Sequence, residues 1–89
     1  MIIPTATSYN PKNEYDAKCL LINDGRNKWF YSHKTLIGFK KEGKELIISN
    51  NIWTKTTGKH LNFIKKLYNN CYKQVDNDDF QKLAITAGE

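Results

Sequence analysis

The sequence predicts a single α+β domain: a three- or four-stranded antiparallel sheet packed by one amphipathic helix, followed by a short C-terminal helix. Three observations predict it. From residue 18 to residue 49, short runs of apolar, β-branched and aromatic residues alternate with turn signals, the pattern of a β meander. From residue 56 to residue 71, the apolar residues recur at three- and four-residue steps, which marks one face of a helix. The chain has 89 residues, enough for one domain and no second. At that length about 60–65% of the unfolded surface is buried on folding, so the core is small. A hydrophobic content of 39%, with 12% aromatic, suits a packed core and not a disordered chain.

The elements follow in order. Residues 1–16 are polar, punctuated by Pro4 and Pro11, carry Ile2, Ile3, Tyr9 and Tyr15, and read as a loosely tied arm with room for one short strand. Cys19-Leu20-Leu21-Ile22 is an apolar run that ends at Asn23-Asp24-Gly25-Arg26-Asn27, where Asp-Gly signals a hairpin whose two central residues accept positive φ. Lys28–Ser32 returns as a strand, His33-Lys34 breaks it, and Thr35–Phe39 is another β run. Lys40–Lys44 is a second turn with Gly43 in the left-handed conformation, and Glu45–Ser49 is a further strand.

The main helix is expected over 56–71. Leu61, Ile64, Leu67, Tyr68 and Cys71 form its inner face, Thr56 or Thr57 caps its start, Lys65 and Lys66 face solvent, and Asn69-Asn70 weaken its end. One helix on one sheet face would make a two-layer core. A short helix is expected over 76–85, with Asp76 as its cap, Asp78 and Asp79 at its positive dipole end, a Val75–Phe80 staple, and Phe80, Leu83 and Ala84 facing inward.

Charge is uneven. The net charge is +5, yet residues 26–73 hold 11 of the 14 basic residues against Glu42 and Glu45 only, a net +9. Residues 1–25 carry −1 (Lys12 and Lys18 against Glu14, Asp16 and Asp24), and residues 74–89 carry −3 (Lys82 against Asp76, Asp78, Asp79 and Glu89). A basic body attracts polyanions, either nucleic acid or an acidic protein face. Thirteen of the 14 cations are lysine, with Arg26 alone. Lysine binds phosphate as a point charge, whereas reading base edges favours arginine, so contact with a nucleic acid would be sequence-independent. The candidate partner-binding residues are Arg26, Lys40, Lys41, Lys55, Thr57, Lys59, His60, Lys65 and Lys66. Trp29, Tyr31 and Trp53 would stack bases if exposed, although core positions suit the tryptophans better. A third class of reading is self-association through a sheet edge, with Lys28, Lys34 and Lys44 as gatekeepers.

Catalytic and cofactor chemistry finds little footing, and neither a cofactor nor a metal is expected. Thr54-Lys55-Thr56-Thr57-Gly58-Lys59-His60 approximates the end of a phosphate-binding G-x-x-x-x-G-K-[S/T] loop, but Trp53 stands at the first glycine and His60 replaces the metal-binding hydroxyl. His33, His60, Cys19 and Cys71 show no metal-ligand spacing. Acids are almost absent from the region holding both histidines, so few carboxylates are there to orient an imidazole or act as an acid–base pair. Met1–Thr5 lacks the basic and apolar regions of a signal peptide, and no apolar run approaches the ~20 residues of a membrane span. The expectation is a soluble, cytoplasmic, non-enzymatic protein with reduced, mostly buried thiols.

One resemblance adds context. Tyr31-Ser32, the run Thr35-Leu36-Ile37-Gly38-Phe39, and Ser49, Asn51, Trp53, Thr54, Thr56, Thr57, Gly58, Lys59, His60, Leu61 and Asn62 are similar to a family of short phage-encoded proteins of unknown function, over residues 31–64. In that family an N-x-W-[ST]-x-T-T-G-K-H-L-N segment follows two strands. The resemblance implies a phage setting, where small proteins outside the virion inhibit or redirect host defence, including restriction and CRISPR systems. It implies an anti-CRISPR-like inhibitor, acting as monomer or homodimer on a host protein or ribonucleoprotein such as a CRISPR effector. The alternative is a protein that binds DNA or RNA directly.

Overall fold

The computed structural model describes residues 5–13 and 15–87. Its sheet has six strands, not three or four: β1 (Thr5–Ser8), β2 (Cys19–Asn23), β3 (Lys28–Ser32), β4 (Thr35–Lys40), β5 (Leu46–Ser49) and β6 (Tyr72–Val75). They lie side by side in chain order. The first five pair antiparallel, and β6 joins β5 in parallel. Helix α1 (Lys55–Leu67) makes the crossover from β5 to β6, as a parallel pair requires, and α2 (Asn77–Ala87) follows.

The four middle strands agree with the sequence reading to within a residue or so. One extra strand lies in the arm, where there was room for a short strand, and the other follows a segment read as helix. Part of the arm becomes β1; its residues 1–4 lie outside the described residues. The arm is held by Tyr9, which is buried, stacks edge-on to Phe30 and donates its hydroxyl to the Tyr31 carbonyl at 2.7 Å. The other new strand comes from the end of the expected helix. Asn69 and Asn70 take positive φ (54° and 62°), and their amides bond back to the Lys66 and Lys65 carbonyls at 3.1 and 2.7 Å. That pair of bonds is a Schellman closure, so α1 stops at Leu67 and the chain turns out into β6. Cys71, expected in the helix's inner face, therefore leaves the helix and is exposed, and Leu67, the last helical residue, is exposed as well.

The helices lie on opposite faces of the sheet, which makes three layers instead of two. Leu61 and Ile64 of α1 pack with Tyr9, Cys19, Phe30, Ile37, Leu46 and Ile48. Phe80 and Ala87 of α2 pack with Phe39, and with Trp29, Leu36, Ile47 and Val75. Strand alternation supplies both faces, since neighbours such as Trp29 and Phe30, or Leu46 and Ile47, point to opposite sides. A bulge adjusts β4. Phe30 is opposite Gly38 while Tyr31 is opposite Leu36, leaving Ile37 as the extra residue. Ile37 fills the α1 side while Leu36 and Phe39 both serve the α2 side. Gly38 shares the α1 side, where a Cβ would come within 3.1 Å of the Ile48 side chain.

Turn chemistry also moved. The two-residue hairpin with both residues at positive φ is His33-Lys34 (50° and 72°), between Ser32 and Thr35. At Asp24-Gly25 only Gly25 is left-handed (φ 91°). There the Asp24 carboxylate shapes a four-residue loop by accepting the Arg26 and Asn27 amides at 3.0 and 2.6 Å. These bonds, that to Asn27 first, hold its pKa below the usual carboxylate value. Gly43 is left-handed as expected (φ 73°). Asp76 caps α2, accepting the Asp79 amide at 2.9 Å, and Val75 and Phe80 share a cluster as a staple would place them. The inner face of α2 uses Phe80, Ala84 and Ala87, with Leu83 turned partly outward.

Candidate functional site

Helix α1 carries two opposed faces, and both concern function. Its buried face holds Thr57, His60, Leu61 and Ile64. At about 100° per residue, Lys55, Lys59, Asn62 and Lys66 fall within an arc of about 60° on the opposite side. All four are exposed. The three lysines span about 16 Å along the axis at the standard rise. No acidic residue occurs anywhere in Lys55–Leu67.

This placement is costly to the helix. Lys55 stands in the first turn, where the macrodipole favours anions, and Lys59 lies one turn on as a like-charged neighbour. Lys65 and Lys66 are in the last turn, where cations are favoured. Lys65 belongs to the flank of the stripe, half-buried with its ammonium 5.3 Å from the Tyr72 ring centroid.

The other predicted cations form a second group. Lys28 and Lys40 are direct cross-strand partners, a like-charge pair that weakens a sheet. Arg26 and Lys41 sit exposed in the flanking turns, which touch through the Glu42 amide and the Asn27 side chain at 3.2 Å. Lys40 pairs with Leu46, and Leu46 with Tyr72 beneath Lys65, so this group lies toward the C-terminal end of α1. Lys28, Lys34 and Lys44 do not act as edge gatekeepers: Lys28 is in an interior strand, and the other two are in turns.

Thr57 and His60 are each about 5% exposed, so they are not surface contacts. They close a clasp between α1 and β3. Ser32 Oγ lies 2.6 Å from His60 Nδ1 and 3.3 Å from Thr57 Oγ1, and Thr57 Oγ1 lies 3.4 Å from Thr54 Oγ1. The N-cap is Thr54, whose hydroxyl accepts the Thr57 amide at 3.3 Å; Thr56 and Thr57 do not cap. A chain polarised from Thr54 through Thr57 and Ser32 to His60 satisfies every hydroxyl, with the imidazole proton on Nε2. The His60 ring is flanked by His33 and Phe63, with centroids 5.5 and 6.0 Å away, and meets Tyr9 edge-on. Burial first, then the neighbouring His33, holds its pKa below 6.5, which keeps it neutral at pH 7.

A serine hydroxyl on a neutral imidazole invites comparison with a nucleophile and base. In such sites a carboxylate orients the other ring nitrogen. Among the described residues no carboxylate hydrogen-bonds to His60, and Asp16 acts on it only through its field. Ser32 is 2% exposed. A cavity of about 430 Å³ adjoins the clasp, lined by Ser32, His33, Thr35, Trp53, Thr54, Thr56 and Thr57. Cys19 is a poor nucleophile, because burial pushes its thiol up to about 12. Among the described residues no group of three or more His, Cys, Asp or Glu could hold a metal ion, and no helix is long and apolar enough to cross a membrane. Trp29 and Trp53 are half-buried and packed on the two clusters.

Sequence reasoning missed Ser32 as the partner of His60. The two are 28 residues apart, and no spacing rule joins them; only the resemblance over 31–64 contained both.

Searches against curated proteins and solved structures found no match. A family profile does match, and it reaches well beyond residues 31–64 into the arm and the acidic tail. On a match over residues 3–82, the chain belongs to DUF8033, a family of unknown function.

Proposed function

We propose that this is a small non-enzymatic binding protein of phage type that acts in the host cytoplasm. It inhibits a nucleic-acid-handling or defence system, such as a CRISPR effector, through a basic surface. The observation that carries this reading is the stripe Lys55, Lys59 and Lys66, acid-free and exposed on a helix whose opposite face is pinned to the sheet. Helix stability alone does not explain Lys55 and Lys59, since an acid in the first turn would serve it better. A polyanionic partner does explain them. The stripe suits an acidic protein face or the RNA of a ribonucleoprotein, and the cations near Lys28 and Lys40 extend it.

Direct binding of DNA or RNA is the second reading. It is favoured by the excess of lysine over arginine, which suits backbone contact. If the four lysines of α1 each neutralise one phosphate, log K should fall against log salt with a slope of about −3.6.

The deciding experiment is a pull-down of tagged protein from host lysate, with and without nuclease, beside the double variant Lys59→Glu/Lys66→Glu. A protein partner retained after nuclease and lost in the variant supports the inhibitor. Nucleic acid alone, lost after nuclease, transfers the function to direct binding. Undiminished capture by the variant removes the stripe from the interface.

A further inference from the structure

We propose that β1 is a self-association edge, on which a second copy of this chain adds its own β1 antiparallel to form one continuous twelve-stranded sheet. The two edges of the sheet differ in chemistry. Strand β6 presents an exposed lysine, Lys73, the usual protection of an edge against pairing. Strand β1 reads Thr-Ala-Thr-Ser, with its first three residues exposed, no charge and no proline. It also lies in the one part of the first 73 residues that is not basic. Residues 1–25 carry −1 where residues 26–73 carry +9, so two copies meet at β1 with the least repulsion.

A second feature points to the same edge. Tyr15 is 86% exposed, more than any other large hydrophobic side chain among the described residues. It lines a hollow of about 400 Å³ with Ala6, Thr7 and Ser8 of β1, the edge strand. The loop that carries it is tied down. Ser8 Oγ donates to the Asn13 carbonyl, the Tyr15 amide to the Asn13 side chain, and the Asn10 amide group to Asp16, all within 3.0 Å. An aromatic ring flanked by these hydrogen bonds and set beside small residues is a knob next to a hole. Pairing about a two-fold axis places each Tyr15 against the partner's β1, as an isologous interface requires.

The symmetry has a consequence for the surface. The two-fold axis of an antiparallel strand pair stands perpendicular to the sheet, so both α1 helices emerge on the same side. The dimer would then display two lysine stripes to one polyanion. The pairing itself does not depend on that use. Four paired residues and one ring a side make a small interface, so the association belongs to the weak, concentration-dependent class.

Sedimentation of the full chain from micromolar to millimolar concentration, without nucleic acid, tests it separately from the polyanion reading. The expected result is a mass rising from 10.4 kDa toward twice that value. Thr7→Lys and Tyr15→Ala change exposed positions, so both should keep the monomer fold, and each should weaken the dimer about tenfold or more. Lys73→Thr on the far edge should leave it unchanged. A chain that stays at monomer mass throughout overturns the proposal. So does a dimer indifferent to both β1-side variants.

Discussion

Removing the Ser32 hydroxyl tests the clasp. Ser32→Ala leaves His60 Nδ1 without its 2.6 Å partner in a site only 5% exposed, while Thr57 keeps Thr54. A buried polar atom left unpaired costs about 1–3 kcal/mol, so a loss of about 2 kcal/mol is expected. For a chain of this length the whole stability is on the order of 4–13 kcal/mol. The Tm should fall by about 8–16 °C. Urea unfolding followed by tryptophan fluorescence would show a lower midpoint with an unchanged slope. The companion variant is His60→Phe in the Ser32→Ala background. Replacing both partners with apolar groups removes the unpaired atom, and a ring can stay between His33 and Phe63, so the double variant should recover most of the loss. Their coupling should reach about 1 kcal/mol or more, as for residues in one hydrogen-bond network. At a temperature where Ser32→Ala remains folded, partner capture should match the parent, because Ser32 positions α1 and lies outside the stripe. A single-variant effect within about 0.5 kcal/mol, or strict additivity, would refute the clasp.

Two further outcomes follow from the same geometry. His60 has a folded pKa below the ordinary 6.5, so the unfolded chain takes up a proton first and stability should fall as pH drops below 6.5, until folded His60 also charges. His33 and Lys18 act with burial to disfavour its charge, while Asp16 opposes them. The lowered carboxylates of Asp16 and Asp24 act in a separate, more acidic window below 3.8. The urea midpoint measured against pH should lose its slope just below 6.5 in His60→Phe, and a parent midpoint that rises on acidification would contradict the sign. Lys55→Glu should separate stability from function. Reversing charge in the first turn should stabilise by about 0.3–1 kcal/mol, while partner capture falls. A variant both more stable and fully competent would take Lys55 out of the interface.

Much of this protein was legible in its sequence because the relevant physics is local. The strands from Cys19 to Ser49 follow from β-branched runs and turn residues only a few positions apart. The cap at Asp76 is set by the residues beside it. The three-four spacing also marked Leu61 and Ile64 as core, and the charge pattern picked out the three exposed stripe lysines. Where neighbours offered equivalent choices, tertiary contacts decided. Thr54, Thr56 and Thr57 are all good caps, and Thr54 took the role once Thr57 turned inward to Ser32. Leu67, Tyr68 and Cys71 kept helical spacing, but Asn69 and Asn70 closed the helix early and released β6 to pair with β5. A four-residue strand such as β1 or β6 has little signal of its own and exists only because an edge was there to receive it. The sequence by itself determined a basic α+β domain with a lysine-faced helix. The tertiary structure decided which face α2 covers, that β6 extends the sheet beyond β5, and that His60 belongs to a clasp, because those depend on pairs some 25 residues or more apart that no local pattern records.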